Sequence, residues 1–308
     1  MVEAQGRISP WKTEDVCGAK GSGCTLAERL ERGDVIHYPV CPFPLPEGSD
    51  RQFLLDQQLG SRAHKNISYD PVQGKASGFR NQFPHQSARV RDLLAAFSRS
   101  TTLWLAGVLP EYAARWQLDR VSFRPEEEAT RRLRLTARND LLHVDAFPSR
   151  PTNGYRILRV FANVNPTEAR VWVTSDRFSK LLAQYGKACG LPADPGTGWV
   201  KNLGRQVVRL FQPSRRTRSA YDAFMLRFHN YLKSCEEFQE QGPKHFWNFQ
   251  PGSAWLVMTD TASHAVLRGR YALEHSYFIA PESLALPPES PPFLLEQACG
   301  RPVLCRAA

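Results

Sequence analysis

The chain of 308 residues has no run of about 18 consecutive apolar residues, which excludes an ordinary membrane-spanning helix. Its first residues, MVEAQGRISPWKTEDVCGAKGSG, lack the short apolar stretch of a secretory signal, so the expected compartment is the cytoplasm. Cysteine is sparse and odd in number: Cys17, Cys24, Cys41, Cys189, Cys235, Cys299 and Cys305. Thiols scattered without framework spacing exclude a disulfide scaffold. Cys17, Cys24, His37 and Cys41 can be drawn as a zinc knuckle, but the first spacing is too long for the usual thiolate pair, and they read as ordinary thiols. A convincing Ser/His/Asp set, a paired-carboxylate arrangement and a helix-turn-helix or RNP-like signature are also missing. Triad hydrolysis therefore has no support, and no nucleic-acid partner is expected.

Positive charge, by contrast, is in excess. A formal net charge of +10 calls for an anionic partner: nucleic acid, an acidic membrane face, or a phosphorylated or carboxylated substrate. The densest basic runs, RRLRLTAR (Arg131 to Arg138) and PSRRTRS (Pro213 to Ser219), read first as solvated faces. A hydrophobic content of 42% is enough for a sizeable core, and the length fits one large domain or one domain with extensions.

Residues 1–85 are rich in Pro, Gly and polar groups and read as an extension packed on the core, with residues 86–308 as the main domain. YPVCPFPLPEG must be extended, because each Pro removes a donor and biases its predecessor away from helix. Val90, Leu93, Leu94 and Phe97 share a helical face, and Pro110 restarts or kinks the segment after Leu105–Leu109. In RILRVFANVN the period becomes two. Leu158, Val160, Ala162 and Val164 alternate with Ile157, Arg159, Phe161 and Asn163, which predicts a strand with one face in a core and the other lining something wetter. RVWVT follows as a strand after a turn at Asn165-Pro166.

Helices return over residues 176–240. Phe178, Leu181, Leu182 and Tyr185 form one face, with Gly190 and Pro192 as stop signals. SAYDAFMLRFHNYLKSCEEFQ predicts one long helix capped by Ser219 and Asp222. Its stripe of Tyr221, Phe224, Met225, Phe228, Tyr231, Leu232, Cys235 and Phe238 reads as core packing. KHFWNF, SAWLVMT, HAVL and RYALEHSYFIA are short strands again. Strands, a helical insert and further strands predict an α+β chain. Its centre is a double-stranded β-helix, the jelly-roll or cupin-like barrel, with N-terminal helices and a helical insert between the ligand-bearing strands.

The chemistry turns on His143-Val144-Asp145. Eight His and 30 acidic residues give about 0.8 His-x-Asp/Glu pairs by chance, so the pair alone means nothing. In a strand, however, residues i and i+2 point to the same side and would present an imidazole and a carboxylate to one point. A second His from a distant strand would complete a two-His, one-carboxylate facial set for Fe(II). His264 is preferred because it heads a strand after the turn-like TDTAS; His245 and His275 are the rivals.

HVD before one strand and HAVLRGRYAL before another resemble the iron- and 2-oxoglutarate-dependent oxygenases. In that superfamily a basic residue after the distal His pairs with the far carboxylate of 2-oxoglutarate. Arg270 matches that place, and Arg159 is the second candidate. A narrower resemblance runs from about residue 85 to the C-terminus. HVDAFPSRPTNGYRILRVFANVNP, RVW, YDAFMLRFHNYLK and HAVLRGRYALEHSYF together resemble the bacterial Kdo hydroxylases, which act on 3-deoxy-D-manno-oct-2-ulosonic acid of the lipopolysaccharide inner core.

The resemblance implies that His143, Asp145 and His264 hold Fe(II), that 2-oxoglutarate and O2 are cosubstrates, and that C3 of a Kdo sugar in Kdo2-lipid A is hydroxylated to Ko. Arg150, just after the ligand segment, could reach a sugar carboxylate. Such an enzyme would sit peripherally on the cytoplasmic face of the inner membrane, drawn to anionic headgroups. The competing readings are a 2-oxoglutarate oxygenase with another substrate, a non-enzymatic cupin-like sugar binder, and a nucleic-acid binder explained by charge alone.

Overall fold

The computed structural model describes residues 24–61, 65–80, 84–131, 133–191 and 218–304. Two antiparallel sheets face each other. The larger runs from edge to edge as Ile36–Tyr38 (β1), Ala254–Met258 (β8), Arg156–Asn163 (β5), Ala272–Ile279 (β10), Gln117–Arg124 (β4), Ile67–Asp70 (β2) and Lys75–Ser77 (β3). The smaller is His245–Phe249 (β7), Arg170–Arg177 (β6) and Ala262–Arg268 (β9). This is the expected jelly-roll arrangement, with strands from both ends of the chain interleaved in one sheet.

Side-chain alternation sets the layers. Leu158, Val160 and Ala162 of β5, with Leu256 and Met258 of β8, enter a core shared with the helix Pro84–Val108 (α3). The opposite faces of the same strands carry Phe161, Trp255 and Val257, which meet Trp172, Phe249 and Val266 of the smaller sheet. Trp255 and Phe249 stack at 3.8 Å between ring centroids, and Phe161 and Trp255 at 5.2 Å. The outer side of the smaller sheet, with Val173 and Ala265, packs under Phe178–Tyr185 (α5), Ala220–Ser234 (α6) and Pro291–Cys299 (α8).

Several expectations need correction. β5 is buried along its whole length, so its mixed face is not wet throughout. That face is dry where Phe161 meets the smaller sheet and opens only around Arg159. The Pro-rich N-terminal segment hides strands: β1 pairs with β8, and β2 and β3 widen the larger sheet through β4. α3 is one helix, and Pro110 begins a short second helix, Pro110–Ala113 (α4), as expected. The long C-terminal helix of the insert is two. α6 ends at Ser234, Cys235 adopts ψ 99°, and Glu236–Gln241 (α7) starts anew. Pro192 and residues 213–217 of the basic run lie outside the described residues.

Two turns place the functional strands. Asn165 Oδ1 accepts from the backbone N–H groups of Thr167 and Glu168, at 3.0 Å each, and so folds the link from β5 to β6. Gly269, at φ 121°, joins β9 to β10. A Cβ there would lie 2.9 Å from Arg170 Cα, so only glycine fits.

Candidate metal centre

The segment His143–Asp145 spans the open end of the sandwich and is tied to both sheets. His143 N–H donates to the His264 carbonyl at 3.2 Å, and His264 N–H returns the bond at 2.9 Å. Asp145 N–H donates to the Thr259 carbonyl, at the end of β8, at 2.7 Å. Extended backbone between these anchors puts both side chains on one face, as the i, i+2 spacing predicts.

The structure brings His143, Asp145 and His264 together. One ligand atom from each lies within 4.8 Å of the others, and all three residues are buried. His143 Nδ1 bonds the Leu141 carbonyl at 2.7 Å, and His264 Nδ1 bonds the Ala262 carbonyl at 3.0 Å. Those carbonyls place the proton on Nδ1 and leave each Nε2 lone pair facing Asp145, at 3.6 and 3.9 Å from its oxygens. These separations are too long for hydrogen bonds and leave room for a cation between the atoms. Trp172 stacks on the His264 ring at 5.3 Å and 18°, holding its plane.

Electrostatics favours the same use. Burial pushes both imidazoles below their usual range, and for His143 the Lys233 ammonium adds to the effect. Burial would raise Asp145, but the Arg159 guanidinium outweighs it and holds its carboxyl well below the usual range. Two neutral imidazoles and a carboxylate form the donor set that a divalent iron takes. Asp145 Oδ2 has no well-aligned hydrogen bond, although Arg159 Nη2 is 3.2 Å away, so a lone pair remains for a metal.

Arg159 and Arg270 part company. Arg159 lies beside the triad, with Nη2 near Asp145 and Nη1 3.0 Å from Glu274; its buried Nε has no partner. Arg270 is exposed. Its guanidinium stacks 4.4 Å over Tyr271, and its Nε donates to the Pro125 carbonyl at 3.2 Å, outside the cavity walls. The expectation for Arg270 is not met, because the Gly269 turn carries it to the outer rim. Arg124, which the sequence did not single out, lies at the cavity instead. On β4 it faces the cavity and grips Glu274 at 2.6 Å. Glu274 lies diagonally between the two arginines, since Arg124 stands opposite Ala272 and Arg159 opposite Ser276. Of the rival histidines, His245 is on the far strand β7, and His275 is a core residue bonded to the Tyr277 hydroxyl at 2.7 Å. Arg150 lines the cavity, paired with Asp119 and stacked 4.5 Å over Phe147.

A cavity of about 540 Å³ adjoins the triad. One wall is an edge of α6 made by Leu226, His229, Asn230 and Lys233, at i, i+3, i+4 and i+7. The sequence reading named only the neighbouring apolar stripe of this helix. His229 bonds the Val144 carbonyl at 2.8 Å and meets the His143 ring edge-on at 4.8 Å; burial pushes it down to about 4. The signal for this edge was its helical spacing beside the stripe.

A family profile described as 3-deoxy-D-manno-oct-2-ulosonic acid (Kdo) hydroxylase matches residues 15–302. The match therefore takes in most of the N-terminal segment as well as the region after residue 85. Among solved structures, that of "the Kdo hydroxylase KdoO, a non-heme Fe(II) alphaketoglutarate dependent dioxygenase" in complex with alphaketoglutarate and Fe(III) superposes with a TM-score of 0.80. It is 32% identical over 92% of this chain and 91% of that chain. The cobalt(II) complex of KdoO gives 0.81 at 32% identity, and the succinate and Fe(III) complex 0.79 at 31%, with the same coverage of both chains. No curated protein sequence matches the chain.

Proposed function

The chain belongs to the 3-deoxy-D-manno-oct-2-ulosonic acid (Kdo) hydroxylase family, and we propose that it hydroxylates C3 of a Kdo unit in Kdo2-lipid A, giving D-glycero-D-talo-oct-2-ulosonic acid (Ko). It is an Fe(II)- and 2-oxoglutarate-dependent dioxygenase. The observation that carries the site assignment is the buried set of two neutral imidazoles and one ionised carboxylate, each with a lone pair turned toward the same point.

In this reading His143, Asp145 and His264 hold the iron on one face. Bound Fe(II) supplies oxygen activation, driven by decarboxylation of 2-oxoglutarate to succinate. The remaining work belongs to the chain. Arg159, with Arg124 behind Glu274, offers the guanidinium forks that suit the far carboxylate of the cosubstrate. Their charge is already half-neutralised by Glu274, so the pair stays folded and aimed before the cosubstrate arrives. Trp172 and Phe161 close the inner side of the site to water. No general acid or base is needed to replace a C–H bond by C–OH, which agrees with the lack of a proton relay in the sequence.

The substrate is lipid-linked and anionic, and the net charge of +10 supports a peripheral position on the cytoplasmic face of the inner membrane. Among the described residues no helix is long and apolar enough to cross a membrane. Co-sedimentation with anionic vesicles at low salt and release at high salt is the expected result; a fully soluble protein at low salt would remove the membrane placement.

The deciding experiment is anaerobic reconstitution with Fe(II), followed by 2-oxoglutarate, O2 and Kdo2-lipid A. The lipid should gain one oxygen atom for each succinate formed, and His143→Ala and His264→Ala should abolish both products. Succinate without modified lipid would retain the oxygenase and discard the lipid A assignment.

A further inference from the structure

Of the cations lining the cavity, Arg120 and Arg134 are exposed, and three others are engaged by protein carboxylates. Arg124 and Arg159 hold Glu274, and Arg150 holds Asp119. Two lysines differ. Lys233, on α6, is only 3% exposed, yet among the described residues its ammonium makes one hydrogen bond, a long contact of 3.3 Å from Nζ to the Thr136 carbonyl. Lys65, in the link before β2, also faces the cavity. Neither has an ion-pair partner among the described residues.

Their backbones are held firmly. The Lys65 carbonyl accepts from Arg131 Nη1 at 3.0 Å, and the next side chain, Asn66, donates to Ser122 Oγ of β4 at 2.7 Å. α6 is anchored at its N-terminus by Ser219 and Asp222. Lys65 and Lys233 therefore line the same cavity from two separate elements. Burial lowers the pKa of both, and Lys65 further lowers that of Lys233, which falls to about 8. Asp145 and Glu128 offset part of this for both lysines, and Asp140 for Lys233, but none of these lies within ion-pair distance, so a ligand carboxylate would supply the direct counter-charge.

We propose that Lys65 and Lys233 form a subsite for the carboxylate of the sugar acid being hydroxylated, separate from the arginine pair offered to the cosubstrate. The inference rests on the Kdo hydroxylase reading and names the group by which that substrate is oriented. In a 3-deoxy-2-ulosonic acid a single carbon, C2, lies between the carboxylate carbon and the C3 methylene. A cation that fixes the carboxylate therefore fixes the reacting C–H bonds. Lys233 is suitably placed: it is one helical turn from His229, whose ring touches that of the ligand His143.

The test is calorimetric titration of the anaerobic protein loaded with Fe(II) and 2-oxoglutarate, using the methyl glycoside of Kdo, its carboxyl methyl ester, and Kdo2-lipid A. Lys65→Met and Lys233→Met should each weaken binding of the glycoside about ten-fold or more, the loss expected for one charge-assisted hydrogen bond. Iron content and 2-oxoglutarate affinity, measured on the same preparations, should stay within about two-fold of the parent, which also shows that the variants fold. The ester should bind the parent protein as weakly as the glycoside binds the variants and lose nothing further in them. Lys233→Arg should restore part of the affinity. Parent-like binding of the glycoside by both Met variants would overturn the proposal. So would loss of 2-oxoglutarate binding in its place, or a loss confined to Kdo2-lipid A, which would assign the lysines to the cosubstrate or to a lipid phosphate. Failure of the parent protein to bind any Kdo ligand is a different result and would overturn the Kdo hydroxylase reading itself.

Discussion

Glu274 is the side chain on which the charges around the site converge. Burial would raise its carboxyl, but Arg124 and Arg159 dominate and bring it down to about 2. An unfolded glutamate titrates near 4.3, so the unfolded chain takes up a proton that the folded one refuses between about pH 4.3 and 2. Stability from this group is therefore complete above about pH 4.3 and is lost as pH falls toward 2. Glu274→Gln leaves two buried guanidinium groups without their shared counter-ion and should cost about 3 kcal/mol in urea unfolding at neutral pH, with a flatter acid limb. An unchanged unfolding midpoint would refute this account of the site. Asp145→Asn should act differently. It keeps the shape but removes the charged ligand, so iron measured after gel filtration should fall to a small fraction while the fold persists. At this scale the sequence was most legible where position alone carries the chemistry. His143 and Asp145 are bound by i, i+2 geometry, and Arg159 stood out as the charged residue on the mixed face of its strand. Glu274 and Arg124 were not legible, because their meaning lies in which strands are neighbours, and β4 and β5 flank β10 only in three dimensions.

The helical insert shows the same limit between elements. Its apolar stripe could be read from spacing, and Phe224, Met225, Phe228 and Leu232 are indeed buried against α5 and α8. Its adjoining polar edge could not, because His229, Asn230 and Lys233 have the pattern of a solvated helix face until a second wall is known. The break at Cys235 left no Pro or Gly to mark it. Ser219 alone caps α6, without the reciprocal bond of a capping box, and the Asp222 carboxylate is used elsewhere. It accepts from Thr152 N–H at 2.7 Å and from Asn153 N–H at 3.2 Å, so it ties the helix to the loop that leads out of the ligand segment. Asp222→Ala should lose about 2 kcal/mol through two orphaned amides and the lost bond to the Ser219 hydroxyl, read as a lower thermal midpoint. It should also weaken iron binding, although no atom of Asp222 touches the metal ligands. Lower stability with unchanged iron affinity would show that the loop is held by other means.

For the molecule as a whole, three short strands before residue 85 were hidden by their brevity and by the Pro-rich sequence around them, whereas the alternation in β5 and β6 declared the jelly roll. The metal centre joins segments distant in sequence, so iron should stabilise the whole fold and not only its neighbourhood. At 100 times its dissociation constant a bound ligand adds about 2.7 kcal/mol, which in a chain of this size is about 4 °C in thermal midpoint. Anaerobic Fe(II) should produce that rise and a chelator should reverse it; an unchanged midpoint would mean that the triad does not hold the ion in the folded state. The reciprocal backbone bonds between His143 and His264 have a further consequence. They close residues 144–263 into a loop whose ends meet at the reacting centre. The entropy of closing such a loop grows only with the logarithm of its length. Residues can therefore be gained or lost at the insert's surface, over evolution or by engineering, at little thermodynamic penalty to the centre. The outer surface of the insert is thus free to diversify while the part that binds iron stays where it is.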